Sequence, residues 1–152
     1  MKKLILFMFA VTLLSCSASK NIKSKENTIK GNWVLKKITY SKTGNYNVTL
    51  FNDTTKKCLE GSTWKFVPNN NSGVYSINGV NCITGDRDFI FVIQEINQAS
   101  GLYDFLLKPK NNQSNIGFRI ELSQLSESNM KWQQNLMIDG TPFIINMDFI
   151  KQ

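Results

Sequence analysis

A period-two alternation of apolar and polar residues runs through the second half of this chain. Phe143, Ile145, Met147 and Phe149 occupy every second position of one segment. Successive side chains of a β-strand point to opposite faces, so this spacing predicts a strand with one apolar face. The same alternation is found in residues 64–66, 89–93 and 116–122, and no long segment has helical periodicity.

Turn signals separate the predicted strands. Residues 68–73 and 97–101 are rich in Asn, Ser and Gly, and Asp139-Gly140 joins two apolar runs as a hairpin turn does. One short helix is predicted near residues 54–60, with Asp53 available as its cap. Short strands with frequent turns are typical of an all-β antiparallel barrel or sandwich. The predicted strands are residues 32–40, 46–51, 63–67, 74–78, 88–95, 102–108, 116–125, 130–137 and 142–150.

The first fifteen residues have the organisation of an export signal. Lys2 and Lys3 form a basic start, and residues 4–14 are almost entirely apolar. A transmembrane helix needs about 20 apolar residues, so this run is too short to span a bilayer. We therefore predict a signal peptide over residues 1–15.

The signal ends at Leu13-Leu14-Ser15-Cys16, which resembles a bacterial lipobox. The resemblance implies cleavage before Cys16, a diacylglycerol on its sulfur and an acylated amine. Two or more acyl chains hold a protein stably at a membrane, so this modification would suffice as the anchor. The alternative is an ordinary secretory signal that contains a cysteine by chance. Ser17 follows Cys16 where many inner-membrane lipoproteins have Asp, which favours the outer membrane, facing the periplasm.

Composition divides the remainder into a tether and one domain. Residues 16–28 are polar and unpatterned and are predicted to form a flexible tether. Residues 29–152 have the length of one domain. The net charge of +7 is spread along the chain, so we expect no nucleic-acid partner, and we expect a monomer.

Cys58 and Cys82 remain once Cys16 is assigned to the anchor. An even pair in an exported protein favours a disulfide. Metal binding is the alternative, and a chain without histidine offers little support for it.

The segment Gly31-Asn32-Trp33, at the start of the first strand, resembles the Gly-x-Trp signature of lipocalins, especially the small lipocalin-like lipoproteins of bacterial envelopes. The segments GSTWKF (61–66) and MKWQQ (130–134) resemble such domains too. The resemblance covers residues 29–150. It implies an up-and-down barrel of about eight strands in which Gly31 allows a tight start and Trp33 closes the base. The chain ends its last strand with Lys151 instead of the family's arginine, and Lys151 can take that place.

Two functions follow from a barrel of this size. Such an interior either holds one small ligand or is filled by side chains. In the first case the protein binds a small apolar molecule in or near the barrel, and in the second it is an interaction or inhibitor module that binds another envelope protein through loops such as 68–73 and 111–115. The residues that line a pocket in the first case and pack as core in the second are Trp64, Phe66, Phe89, Phe91, Phe118, Trp132 and Met147.

Catalysis has little support in the sequence. The chain has no histidine, which is the usual general base near neutral pH. No nucleophile elbow, phosphate-binding loop or zinc motif is present. We therefore expect a non-enzymatic protein without a cofactor or metal.

Overall fold

The structure is a computed structural model that describes residues 15–97, 99, 101–110 and 116–152. Two α-helices, one 3-10 turn (Pro68–Asn70) and ten strands are found in these residues. The helices are α1 (Ser15–Ile29) and α2 (Lys56–Leu59). The strands are β1 (Gly31–Tyr40), β2 (Thr49–Leu50), β3 (Thr54–Thr55), β4 (Thr63–Val67), β5 (Ser72–Ile77), β6 (Gly85–Asn97), β7 (Leu102–Pro109), β8 (Phe118–Leu125), β9 (Asn129–Ile138) and β10 (Thr141–Lys151).

Eight of the strands form a closed antiparallel barrel in the order β1-β10-β9-β8-β7-β6-β5-β4. From β4 to β10 each strand pairs with the next one along the chain, and β1 fills the place between β10 and β4. The predicted all-β, up-and-down, lipocalin-like barrel is therefore confirmed, and α2 lies where the short helix was predicted.

Strand β1 closes the ring because it pairs on both sides. Trp33 lies opposite Lys151 of β10 and opposite Trp64 of β4. The β10 pairing runs from Trp33 to Tyr40, with a shift of register between Leu35 and Lys37, whereas the β4 pairing uses residues 31–34 alone. A closed sheet leaves no unpaired edge for other chains to join.

The base of the barrel is built around Trp33, which is fully buried. Its indole Nε1 donates a hydrogen bond to the Ile29 carbonyl at 2.7 Å. The Lys151 ammonium lies 5.2 Å above the indole ring and donates to the Thr28 carbonyl at 2.8 Å. Lys151 thus links the end of the last strand to Trp33 and to the end of α1. Gly31 begins the strand with a φ of +115°, which side chains rarely adopt.

Helix α1 is held across this base by its carboxyl end. The last carbonyls of a helix have no partner within the helix, and here Trp33 and Lys151 supply two of the missing donors. Ile29 is fully buried, Ile22 packs against the core, and the Lys25 ammonium lies 5.0 Å from the Tyr103 ring centroid. Residues 22–29 are therefore part of the folded body.

This helix corrects the prediction of an unstructured tether over residues 16–28. Ile22 and Ile29 are two turns apart and lie on the same side of a helix. Two isolated isoleucines give little signal in a polar segment, and their burial depends on the barrel base that they cover. The predicted signal segment lies outside the described residues except for Ser15.

A second correction concerns residues 46–51, which were predicted as a barrel strand. Only Thr49–Leu50 is a strand, and it pairs with Thr54–Thr55 in a separate two-stranded sheet. Strand β6 is longer than predicted and begins at Gly85. The Asp139-Gly140 turn is as predicted, with φ values of +50° and +70° that suit a tight hairpin.

Cys58 and Cys82 form a disulfide, as predicted. Their Cα atoms are 5.6 Å apart, and the bond joins α2 to the segment between β5 and β6. Among the described residues no group of three metal-ligating side chains is placed to hold a metal ion. The disulfide connects α2 to the loop before β6 at the mouth of the barrel, the end opposite α1.

Replacing both Cys58 and Cys82 with serine is expected to lower the free energy of unfolding by about 3 kcal/mol, because the crosslink restricts the unfolded chain. Urea denaturation followed by tryptophan fluorescence measures the change. The wild-type protein under reducing conditions serves as the control, and its free energy of unfolding should fall by the same amount. Equal stability of the oxidised wild type and the double variant would contradict this expectation.

Candidate functional site

Aromatic rings on the inward face of the strands fill the barrel. The Trp64 ring stacks on Tyr75 with centroids 4.4 Å apart, and Trp132 lies 4.5 Å from Phe149 and 4.8 Å from Phe105. A cavity wide enough for a ligand would leave accessible surface on the side chains around it. Six of the seven residues predicted to line a pocket or core are at most 1% exposed: Trp64, Phe66, Phe89, Phe91, Trp132 and Met147.

The seventh residue, Phe118, is partly buried at the mouth. Its ring centroid is 5.4 Å from that of Phe51, which is buried beside it. The structure therefore brings the seven predicted residues into one packed interior, with Phe118 at its mouth end.

The mouth is covered by residues 49–61, which we name the plug. It consists of β2, β3 and α2, and it buries Leu50, Phe51 and Leu59 completely or nearly so. Phe51 has a φ of +54°, in the left-handed region that bulky side chains seldom adopt. This conformation accompanies the inward placement of its ring, 5.9 Å from Trp64. Burial of these three apolar side chains, each worth about 1.5–3 kcal/mol, holds the plug on the barrel.

A polar cluster of Asp53, Tyr75 and Arg87 joins the plug to the barrel wall. The Tyr75 hydroxyl donates to Asp53 Oδ2 at 2.8 Å, and Arg87 Nε donates to the same oxygen at 3.1 Å. Both charged side chains are partly buried, with 18% of Arg87 and 21% of Asp53 exposed. An ion pair with further hydrogen bonds is costly to break at such a site, because one charge would be left unpaired.

The environment of Tyr75 raises the pKa of its hydroxyl far above the ordinary value of 10.0. Burial is the main cause, followed by the hydrogen bond to Asp53 and the negative charge of Asp53, while Arg87 acts in the opposite direction. The hydroxyl therefore remains a donor to Asp53 over the whole neutral range.

This cluster was missed by the sequence analysis. Asp53 was considered as a helix cap, but α2 begins at Lys56 with Thr55 before it and has no side-chain cap. Arg87 could have been found, because it shares its face of the strand with Phe89 and Phe91 and must therefore point inward. A charged residue in an inward position implies a buried partner.

The segment between β5 and β6, residues 78–84, forms an exposed rim loop beside the plug. Val80 is 82% exposed and Ile83 is 84% exposed. The loop is nevertheless held from both sides: Cys82 is crosslinked to the plug, and Arg87 donates to the carbonyls of Ile83 at 2.7 Å and Gly85 at 2.6 Å. The rim loop thus presents two aliphatic side chains on a fixed backbone.

The predicted lipidation residue, Cys16, is the second residue of α1. No helix in the described part of the chain is long and apolar enough to cross a membrane. Of the two polar loops predicted to bind a partner, residues 68–73 connect β4 to β5 at the base, and residues 111–115 lie outside the described part of the chain.

No protein-family model, curated protein or solved structure matches this chain. The functional argument therefore depends on the geometry of the barrel, its plug and its rim.

Tyr75 makes the stability of the fold depend on pH in the alkaline range. Its pKa is raised in the folded state, so the stabilisation is fully present below the unfolded value near 10 and declines as the pH rises above it. We expect Tyr75→Phe to weaken this alkaline decline, and to cost about 1–3 kcal/mol at neutral pH because Asp53 loses a buried donor. Urea denaturation at several pH values between 8 and 11 measures both effects.

The matched control is Tyr46→Phe. Tyr46 lies in the exposed loop after β1, and its hydroxyl donates to the Thr43 carbonyl of the same loop. An alkaline decline of the same steepness in the wild type and in Tyr75→Phe would show that Tyr75 does not carry this pH dependence.

Proposed function

We propose that the chain is a lipid-anchored protein of the bacterial cell envelope whose filled barrel is a scaffold for binding another protein through the rim loop. The observation that carries this proposal is the packed interior: six of the seven interior residues named above, all except Phe118 at the mouth, are at most 1% exposed. A barrel filled in this way can act through its outer surface and its loops.

The rim loop supports the proposal because it is both exposed and fixed. Burying Val80 and Ile83 in a partner would contribute about 1.5–3 kcal/mol for each side chain. The disulfide and the Arg87 hydrogen bonds order the loop before binding, which reduces the entropy lost when a complex forms. Single exposed aliphatic residues are common on protein surfaces, so the proposal depends on the combination of these two with an ordered loop.

The anchor is the second part of the proposal. It depends on the lipobox resemblance at Leu13–Cys16 and on the basic, apolar segment before it. Acylation of Cys16 would hold the protein in the outer membrane, facing the periplasm.

A small apolar ligand inside the barrel is the second candidate function. One observation favours it: the buried Nε1 of Trp132 has no hydrogen-bond partner among the described residues. Such a donor costs about 1–3 kcal/mol, and a ligand with an acceptor could remove that cost. Entry would require the plug to leave and the rings to separate. A compound recovered by organic extraction of the purified protein would favour this function.

Cys16→Ser is expected to move the protein from the membrane fraction to the soluble fraction, because the serine oxygen cannot form the thioether to diacylglycerol. Cell fractionation and immunoblotting measure the distribution. The control variant, with Cys58 and Cys82 both replaced by serine, retains Cys16 and should stay with the membrane. Retention of Cys16→Ser in the membrane fraction would reject the anchor.

A photo-crosslinking amino acid at position 80 is expected to capture a partner in living cells, because this position is at the tip of the rim loop. Position 65 is the control site, since Lys65 is exposed on the outer face of β4. Adding Ile83→Asp to the position-80 variant should abolish the adduct, because a carboxylate would have to be buried. Adducts at position 65 as strong as those at position 80, or none at either, would contradict the proposed surface.

A further inference from the structure

Two adjoining clefts lie beside the plug, outside the barrel interior. Their volumes are about 410 Å³ and 360 Å³, and they share Tyr46, Asn47 and Lys56. Volumes of this order suit a small-molecule site. The remaining lining residues are Val48, Thr55, Lys57 and Glu60 on one side and Tyr40, Gly44 and Asn45 on the other. None of the seven interior residues considered above is among them.

Aromatic rings form one wall of this combined cleft. Tyr46 packs edge-on against Tyr40 and against Phe143, with ring centroids 5.7 Å and 4.9 Å away. Tyr46 is 36% exposed, so part of its ring remains open to the cleft. Gly44 makes this packing possible: it has a φ of +146°, and a Cβ there would lie 3.3 Å from the Tyr46 ring. The loop is thus built to hold an aromatic surface in place.

The cleft also has an excess of positive charge. Lys56 lies 3.7 Å from Glu60 and 5.5 Å from the Tyr40 ring centroid. Glu60 Oε1 also accepts the Ile38 backbone N–H at 2.6 Å, so this carboxylate is already engaged. Lys57 forms no ion pair with any described residue. The cleft therefore contains two ammonium groups and one occupied carboxylate.

A hydrogen-bond donor without a partner lies beneath the wall of the same cleft. The Tyr40 hydroxyl is shielded from solvent, and no described residue bonds to it. Burial, with a smaller effect from the charge of Glu60, raises the pKa of Tyr40, so the hydroxyl keeps its proton at neutral pH. Because the hydroxyl is shielded, an acceptor atom of a bound molecule reaches it only when the Tyr40 ring shifts toward the cleft.

We propose that this cleft binds a small organic anion with a flat apolar body. The body packs against the exposed part of Tyr46, and the anionic group lies near the Lys56 and Lys57 ammonium groups. This site is separate from the rim loop and does not depend on the proposed protein partner.

A pair of naphthalene probes that differ in charge tests the site. Anilinonaphthalene sulfonate has an aromatic body and a sulfonate, whereas N-phenyl-1-naphthylamine has a comparable body without charge. We expect the sulfonate to bind saturably with increased fluorescence, and at least about fivefold more tightly than the neutral probe. Lys57→Gln should lower the affinity for the sulfonate by about fivefold, and Tyr46→Leu should lower the affinity for both probes.

Lys65→Gln is the matched control, because it removes the same charge from the outer face of β4. Near-ultraviolet circular dichroism verifies that each variant keeps its tertiary packing. Three results would overturn the proposal: no saturable binding of the sulfonate, equal affinity for both probes, or the same affinity in Lys57→Gln as in Lys65→Gln. If the Tyr46→Leu variant loses its tertiary packing, Gly44→Ala is used in its place. The added Cβ must shift the Tyr46 ring, so this variant should also have a lower affinity for both probes.

Discussion

The two-sided pairing of β1 is the constraint on which the rest of the structure depends. Residues 31–34 of this strand pair with β4 while residues 33–40 pair with β10, which converts a curved sheet into a closed ring. Closure gives every barrel strand two neighbours and excludes water from the rings inside. It also puts Trp33 at the base, in contact with the end of α1, and directs the chain after Tyr40 over the mouth. The base, the packed interior and the plug are consequences of this pairing.

Much of the barrel could be predicted because its strands have one apolar face. Phe143 to Phe149 and Phe118 to Leu122 alternate clearly, and this pattern depends on local geometry alone. The disulfide followed from an even number of remaining cysteines. The Lys151 contact with Trp33 was not predicted, because residues 118 positions apart meet only when the barrel closes.

The errors arose where a segment takes its conformation from distant residues. Helix α1 carries only two apolar anchors, Ile22 and Ile29, and needs the barrel base to bury them. Residues 46–51 contain strand-forming residues, but the chain turns at Phe51 and sends its ring into the mouth. The Asp53–Arg87 pair joins residues 34 positions apart, and the alternation that places Arg87 inward does not identify Asp53 as its partner. The candidate site was therefore less predictable than the barrel, since it is assembled from the plug, the rim loop and the loop after β1.

A filled barrel also limits where chemistry can occur. The axis is occupied by Trp64, Phe66 and Trp132. At the mouth, Asp53 and Arg87 form one polar cluster, and Lys56, Lys57 and Glu60 line the cleft beside it. Both proposed binding surfaces are found at this end. They share the plug, so binding at the cleft and binding at the rim loop would act on one structural unit.

Helix α1 affects how the domain would be oriented at a membrane. A flexible tether would let the domain rotate freely above a membrane, whereas a docked helix leaves only a short connection between Cys16 and the barrel. From Cys16 to Ile22 the helix advances only about 9 Å, at about 1.5 Å per residue. If Cys16 is acylated as proposed, the domain would stand close to the bilayer on its base. Its mouth would then face away from the lipid, toward the aqueous space where soluble molecules and partner proteins approach.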